Sequence, residues 1–388
     1  MKRSHWMLAM FVMLSLPAGA FAAEFRVHGL LDLVLASGEK ARASNTLTQG
    51  DSNFDPYRVH LFVDAKVAPT LDVYVEGILH EGAFNLRADG AYAQWTPWAD
   101  RDAHLEAGKI PWPIGTWAAR TYSDKNPLIG MPLMYQYHTS LAWPAMPTNV
   151  DQLVANATKG QSKLGYAFNV MGMPVVDDRW WDVGAVALGS QRPFEYSFGV
   201  IQGSPGWPVT TQDNTPGSTY LGRLGLAPVA GLRFGASGAW GTWMPEWFQY
   251  SLPANESVRE YHESMVMGDV EIERGPWELR SEGFYKEWET ATTGVLHLHG
   301  GYAEGRMGLG DGAWLAARWD MLRFSDVTTS TLVTRPWDDG VDRLETGIGY
   351  RLSRDVRVKA VFQRDFVHPF GASVQHTDLY ALTASIRI

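Results

Sequence analysis

The fold of this chain is decided by residues 58–80, which read RVHLFVDAKVAPTLDVYVEGILH. In the first half, Val59, Leu61 and Val63 alternate with Arg58 and Asp64, and after a break at residues 68–70 the second half alternates in the same way. Successive side chains of a β-strand point to opposite faces, so this pattern predicts two strands. Each run is about ten residues long, the length at which a tilted strand crosses a bilayer. The stretch therefore predicts a membrane-spanning hairpin.

The composition agrees with an all-β protein that has many tight turns. The 388 residues include 39 Gly, no Cys and an aromatic fraction of 12%. The lack of Cys excludes a disulfide framework, a thiolate zinc site and CxxCH haem attachment. The net charge of -9, without any basic block, argues against a nucleic-acid partner and suggests a mild preference for cations.

Residues 1–22 have the pattern of a secretory signal peptide. Lys2 and Arg3 precede an apolar run at residues 7–16, and Ala20-Phe21-Ala22 is a small-x-small cleavage site. We expect cleavage after Ala22, which leaves residues 23–388 as the mature domain. No later stretch approaches about 18 consecutive apolar residues, the minimum for a spanning helix. An exported chain with membrane-length strands is expected in the bacterial outer membrane.

Alternating segments recur along the mature chain and predict about sixteen strands, joined in turn by short and long connections. This predicts a transmembrane antiparallel up-and-down β-barrel, with short periplasmic turns and longer outer loops. Residues 163–171 form a further candidate strand, so eighteen strands is the alternative. Residues 111–180 show no regular pattern and are predicted to form a long outer loop without regular structure of its own.

Tryptophans lie near the predicted strand ends in two groups. Such bands are expected at the two lipid–water boundaries of a barrel, whereas simple scatter in a Trp-rich chain is the alternative. The expected lipid-facing bands are Trp95, Trp98, Trp277 and Trp314 beside short turns, and Trp240, Trp243, Trp288 and Trp337 at the other end.

The polar face of the predicted strands carries charges of both signs. If the apolar face meets lipid, these charges line the lumen, where burying them dry would cost a large free energy. A sixteen-stranded barrel is wide enough for an aqueous channel, so we predict a water-filled pore. The alternatives are that the charges pair into a network or that loops plug the lumen. The predicted pore-lining residues are Arg58, Asp64, Lys66, Asp72, Glu76, Arg280, Glu282, Arg343, Glu345 and Arg351.

The long loop at residues 111–180 is the predicted constriction. A loop of this length is usually functional or disordered, and its many aromatic residues argue against disorder. We expect it to fold partly into the lumen; a lid packed over the rim is the alternative. The predicted constriction residues are Arg120, Lys125, Tyr135 and His138.

The signal peptide, the alternating strands, the segment AGKIPWPIG at residues 107–115 and the long loop after it resemble bacterial outer-membrane porins. The nearest group is the phosphate-selective-type and related porin-like proteins, and the resemblance covers the mature chain. It implies a β-barrel channel for small hydrophilic solutes, often a homotrimer in outer-membrane lipid. The chain departs from this group by ending in Ile388 instead of Phe, and by lacking a dense lysine ladder, so anion specificity is not carried over.

The sequence predicts neither an enzyme nor a cofactor. His297 and His299 lie two residues apart on one predicted strand, but two ligands without a third favour ordinary wall residues over a metal site. The acid pair Glu278 and Glu282 accompanies Arg280, which favours ion pairing over acid–base catalysis. The alternative function is a sleeve that holds a multihaem cytochrome in an outer-membrane electron-transfer complex.

Overall fold

The computed structural model describes residues 24–38, 52–80, 87–143, 146–158, 171–177, 181–207 and 217–388. These described residues contain one α-helix, α1, at Val150–Thr158. The described strands are, in chain order, β1 (Glu24–Gly38), β2 (Tyr57–Ala68), β3 (Leu71–His80), β4 (Arg87–Trp95), β5 (Asp102–Pro111), β6 (His138–Trp143), β7 (Met171–Pro174), β8 (Trp181–Gln191), β9 (Phe194–Ile201), β10 (Thr219–Val229), β11 (Leu232–Thr242), β12 (His262–Arg274), β13 (Trp277–Thr290), β14 (Gly294–Gly310), β15 (Ala313–Phe324), β16 (Asp326–Thr328), β17 (Thr334–Pro336), β18 (Gly340–Arg351), β19 (Val356–His368) and β20 (Gln375–Arg387).

Sixteen of these strands close into one antiparallel barrel, and β1 pairs with β20 to complete it. The four strands outside the barrel form two separate pairs, β6 with β7 and β16 with β17. The predicted fold class is confirmed, with sixteen strands instead of the alternative eighteen. The candidate strand at residues 163–171 lies outside the described residues except for Met171, where β7 begins, and the predicted signal peptide lies wholly outside them.

Short turns lie at one end of the barrel and longer connections at the other. The turn between β2 and β3 occupies residues 69–70, and the turn between β12 and β13 occupies residues 275–276. The connection from β5 to β8 instead runs from residue 112 to residue 180. These ends are called the short-turn end and the long-loop end below.

The two faces of the barrel wall differ as the alternation predicted. Outward-facing Val27 and Leu35 are 70% and 75% exposed, whereas inward-facing Glu282 and Glu345 are 1% and 0% exposed. Apolar groups thus cover the outer surface, where a lipid phase would solvate them, and charged groups face the interior.

Towards the long-loop end, the interior of the barrel holds a hydrophobic core. Inward-facing Leu296 and Leu298 of β14 are fully buried there, while His297 between them points outward and is partly exposed. Their core neighbours include Trp117, Tyr135 and other residues of the long connections. Because the chain fills this part of the lumen, inward positions here are dry and apolar.

The expected tryptophan bands are correct for half of their members. Trp95, Trp98, Trp277 and Trp240 are each about half exposed on the outside of the barrel. The prediction is wrong for Trp314, Trp243, Trp288 and Trp337, whose side chains are 5% exposed or less and face the interior. They stand at inward positions of strands or on connections that fold inward, where a buried indole contributes more apolar contact than at a lipid boundary.

The prediction that residues 111–180 lack regular structure is wrong for the described part. β6 and β7 pair with each other, α1 packs against β6, and short 3₁₀ turns occur at Ala118–Arg120 and Leu133–Tyr135. Backbone groups taken out of water need partners, and these local elements supply them. None of the helices in the described ranges is long and apolar enough to cross a membrane.

Candidate functional site: a segment held across the barrel lumen

After β5 the chain turns back into the barrel as residues 112–137, here called the lumen segment. Its first contacts are with the wall strands β9 and β11. Ser197 Oγ donates to the carbonyl oxygen of Pro113 at 2.9 Å, and the Gly115 amide donates to Ser237 Oγ at 3.0 Å. Farther along, Ser123 Oγ donates to Asp32 of β1. The lumen segment therefore crosses from one side of the barrel to the other.

Glu282 of β13 is the first strong anchor of the lumen segment. Its carboxylate accepts hydrogen bonds from the Thr116 amide, from Thr116 Oγ1 at 2.9 Å, from the Trp117 amide at 3.1 Å and from the Tyr135 hydroxyl. Gly115 allows this approach, because a Cβ at its position would lie 2.8 Å from Glu282 Oε1 and its φ is +63°. The carboxylate thus ties together both passes of the segment through the lumen.

Two more wall carboxylates hold the returning half of the segment. Glu345 Oε1 of β18 accepts the amides of Ile129 at 3.1 Å and Gly130 at 2.9 Å. Asp320 Oδ1 of β15 accepts the Leu133 amide at 2.9 Å. Hydrogen bonds to ionised acceptors are stronger than those between neutral groups, and these lie in a buried environment.

Basic side chains of the wall bind backbone carbonyl oxygens of the same segment. Lys359 Nζ of β19 donates to the carbonyl oxygens of Ser123 at 2.8 Å and Leu128 at 2.6 Å, as well as to that of Asn126. Arg387 Nε donates to Asp124 Oδ2 at 2.8 Å. The wall therefore holds residues 123–128 mainly through their backbone carbonyl oxygens.

Three other predicted pore-lining residues are buried in the wall instead of standing in water. Arg58 pairs with Asp32 at 3.0 Å, and Arg343 pairs with Asp365 at 2.6 Å. Glu76 accepts the Tyr122 hydroxyl of the lumen segment at 2.6 Å. Together with Glu282 and Glu345, these residues form the paired network that the sequence left as an alternative to free solvation.

Asp64, Lys66 and Asp72 lie on the inward face of β2 and β3 near the short-turn end. Lys66 stands opposite Asp72 across the hairpin, and Asp64 stands opposite Arg26 of β1. They line a shallow cavity of about 200 Å³. These three charges keep the solvent contact that was predicted for the whole set.

Arg280 and Arg351 face a second cavity at the short-turn end, of about 450 Å³. Arg280 forms ion pairs with Glu271, Glu273 and Glu278, whereas Arg351 stands opposite Arg357 across β18 and β19. This cavity is lined by the cations Arg120, Lys125, Arg280, Arg306, Arg351 and Arg357, and by the anions Asp124 and Glu278. The interior therefore has a local positive region, although the whole chain is acidic.

The predicted constriction residues are placed in three different settings. Arg120 forms a buried ion pair with Glu304 of β14, and Tyr135 donates to Glu282. Lys125 is exposed in the 450 Å³ cavity. His138 lies beyond the segment on β6, with Nδ1 2.8 Å from the Gly172 carbonyl oxygen, so the structure does not bring it to the other three.

The sequence interpretation missed the central ion-pair cluster of the wall. Arg318, which has no exposed surface, pairs with Glu304 at 3.2 Å and Asp320 at 3.2 Å, and also with Glu345. Arg318 and Asp320 are two residues apart on β15, so the period-two alternation was a signal that could have found them. No pattern in the sequence predicts that Arg318 and Asp320 also bind the backbone of the lumen segment.

At the long-loop end, Asp338 ties β6 to the connection before β18. Its carboxylate accepts the Ser140 amide at 2.7 Å and the Asp339 amide at 2.8 Å. Complete burial raises the pKa of Asp338 from its usual 3.8 to about 7. The strength of this contact therefore depends on pH between about 4 and about 7.

Within the part of the chain that the structure describes, no three His, Cys, Asp or Glu side chains are grouped to hold a metal ion. His297 points outward, where its ring stacks with Tyr285 at 5.8 Å and its Nδ1 lies 3.1 Å from Glu287. These contacts account for His297 as a wall residue.

A closed sixteen-stranded antiparallel barrel with a connection folded into its lumen is the architecture of outer-membrane porins. Solved structures of outer-membrane proteins are similar to the chain over nearly its whole length. OmpT, an outer membrane protein of Vibrio cholerae, matches with a TM-score of 0.55 and 11% identity, covering 95% of this chain and 98% of its own. The outer membrane channel DcaP of Acinetobacter baumannii matches with a TM-score of 0.54 and 9% identity, covering 94% and 97%.

OmpF of Salmonella typhi, in complex with daunomycin, matches with a TM-score of 0.54 and 8% identity, covering 94% of this chain and 97% of that one. At identities this low, the similarity shows the fold alone, and the chain has the porin fold. The sequence matches no protein-family model, and the comparison with curated proteins gives no match.

Proposed function

We propose that the chain is a bacterial outer-membrane channel through which small hydrophilic solutes diffuse, with the lumen segment as its constriction. The observation that carries this proposal is the anchoring of the segment at the level of Glu282, Glu345 and Asp320. Charged cavities of about 570 Å³ and 450 Å³ lie beside it. In this proposal the anchored segment limits the size of the solutes that pass beside it.

In this proposal the side chains that meet solute are those that keep solvent contact. Asp64, Lys66, Asp72 and Arg351 line the wall, and Lys125 projects from the lumen segment. The buried members of the predicted pore lining, Arg58, Glu76, Glu282, Arg343 and Glu345, act indirectly, because they fix the segment and the wall that set the size of the passage. Arg120 and Tyr135 share this positioning role on the segment itself.

The sleeve alternative receives less support. A cytochrome inside the barrel would need the middle of the lumen, which is occupied by the chain's own segment and by the hydrophobic core around Trp117 and Tyr135. Co-purification of a haem protein with the barrel, detected by absorbance near the haem Soret band, would restore that alternative.

The outer membrane and the trimer are also part of the proposal. The apolar outer wall suits lipid, and OmpT of Vibrio cholerae was solved in a trimer form. We expect export with cleavage after Ala22, so the mature protein in purified outer membranes should begin at Ala23. Native mass spectrometry in detergent should give three times the mass of the mature chain, and a monomer would refute the trimer without affecting the barrel.

The experiment that tests the channel is conductance in planar bilayers. The purified, folded protein should give discrete ohmic steps, and the same preparation unfolded by boiling should give none. Conversion from a fast-migrating folded form to a slower boiled form on a gel confirms that the sample was folded. A folded sample that never conducts would refute the channel.

A further inference from the structure

A cavity of about 570 Å³ lies between the lumen segment and the wall strands β4, β5, β8, β9, β10 and β11. It opens towards the short-turn end, where the exposed side chains of Asp102 and Arg233 stand at its rim. Its volume falls within the range of small-molecule sites. Its walls combine aromatic rings with a few charged groups, which is the usual composition of a site that recognises a ligand.

Glu106 of β5 is the unusual group in this cavity. Its side chain lines the cavity, the residue is 8% exposed, and among the described residues it has no partner within hydrogen-bond or ion-pair distance. Across the sheet it stands opposite Gln94 on one side and Val186 on the other. The side chain of Val186 cannot donate a hydrogen bond. Gln94 Nε2 lies 3.2 Å from His104 Nδ1 instead of binding Glu106. A buried carboxylate without a partner is costly, and no described residue supplies the positive partner that would lower this cost for Glu106.

The other charged groups of the cavity already have partners. Asp102 Oδ1 lies 2.8 Å from His104 Nε2. Arg223 is shared between Glu195 at 3.2 Å and Asp269 at 2.7 Å, and Arg233 also pairs with Glu195. Among the described residues that line the cavity, the charged side chain without an ion-pair or hydrogen-bond partner is therefore that of Glu106.

Aromatic rings surround the same space. Tyr92 faces the lumen from β4, diagonally across the ladder from Glu106, and its ring centroid lies 6.2 Å from that of Trp181. Trp112 and Tyr122 of the lumen segment line the opposite side. The faces of Trp and Tyr rings attract cations, most strongly when the cation is screened from water.

We propose that this cavity binds a small organic cation of the ammonium class, with the positive group between Glu106 and the faces of Tyr92 and Trp181. An ammonium ion supplies a positive partner for the carboxylate of Glu106. Its alkyl groups pack against aromatic walls better than the water shell of a hydrated metal ion would. Solutes of this class would then be held beside the constriction. This assigns a solute class to the proposed channel, but binding itself does not require conduction.

The test is isothermal titration calorimetry of the folded protein in detergent at pH 8, with choline as the probe. Choline should bind at least about tenfold more tightly than 3,3-dimethylbutan-1-ol, its uncharged isostere, because the isostere keeps the shape and lacks the charge. Glu106→Gln should weaken choline binding by at least about tenfold. Asp326→Asn, which removes an exposed carboxylate on β16 outside the barrel and away from the cavity, should leave choline binding unchanged.

Equal binding of choline and its isostere would overturn the proposal, and this comparison needs no variant to fold. Unchanged choline binding by folded Glu106→Gln would also overturn it, as would tighter binding of glucose or acetate than of choline. Failure of the channel proposal is separate, because a protein that binds choline and never conducts would refute only the channel. A protein that conducts and ignores choline would refute only this site.

Discussion

Replacing Glu282 by Gln should release the lumen segment and widen the passage. The buried carboxylate accepts four hydrogen bonds, from Thr116 N, Thr116 Oγ1, Trp117 N and the Tyr135 hydroxyl. Gln keeps the size of the side chain but removes the charge, and its amide group can no longer accept on one of the two sides. The two passes of the segment then lose the group that joins them.

The expected cost follows from these contacts. A hydrogen bond to a charged group contributes about 1.5–3 kcal/mol, and a neutral one about 0.5–1.5 kcal/mol. Weakening four such bonds, which are not additive, should lower the free energy of docking by roughly 3 kcal/mol. This raises the undocked population by about a hundredfold. Tyr135→Phe removes only one donor and should have a smaller effect of roughly 1 kcal/mol.

Two measurements report the release of the lumen segment from the wall. Hydrogen exchange should become faster at the amides of residues 115–136 in Glu282→Gln, and less so in Tyr135→Phe. Single-channel conductance in planar bilayers should rise in the same order. Glu24→Gln is the matched control, because this carboxylate is exposed, pairs only with Arg26 among the described residues and does not touch the segment.

Faster exchange at residues 115–136 together with unchanged conductance would refute the constriction, since the segment would then move without affecting the passage. Unchanged exchange in a folded variant would refute the anchoring role of Glu282.

Three further predictions concern the wall and the long-loop end. Val73→Asp places a charge on the lipid-facing side of β3 and should cost roughly 2 kcal/mol, seen as a lower yield of the fast-migrating folded form. Lys66→Asp, on the lumen side of the neighbouring strand, should fold normally and shift the reversal potential towards cation selectivity; no shift would remove Lys66 from the passage. Asp338 has a docked pKa of about 7, above its ordinary 3.8, so the docked state binds the proton more tightly. Docking of β6 should therefore be strongest below about pH 4, weaken by up to about 4 kcal/mol as the pH rises to about 7, and stay constant above it. Asp338→Asn should abolish this dependence, measured by exchange at the Ser140 amide after correction for intrinsic rates.

The alternation in residues 58–80 was sufficient to predict the strands, their outward faces and the closed barrel. Leu61 and Val75 are exposed on the outside, and Arg58 and Glu76 are buried on the inside, as the period of two requires. This succeeds because a strand exposes alternate side chains to two different environments, and each environment selects its own residue types.

The same rule failed where the inside of the barrel is not aqueous. In the sequence HLH of residues 297–299, the apolar Leu298 faces inward and the histidines face outward, opposite to the order seen in β2. For the same reason, the sequence wrongly predicts a lipid boundary for Trp243, Trp288 and Trp337, which are buried. Apolar character identifies a dry environment, and it cannot tell lipid from a core made by the chain itself.

The sequence by itself determined the barrel, since local alternation and strand length are properties of consecutive residues. Only the tertiary structure decided what fills the barrel, because Glu282 meets Thr116 across 166 positions of the chain and Glu345 meets Ile129 across 216. Such contacts depend on where a flexible connection comes to rest, and that depends on the sum of many distant partners. That Glu106 has no ion-pair or hydrogen-bond partner among the described residues was likewise decided only by the positions of its neighbours in the cavity.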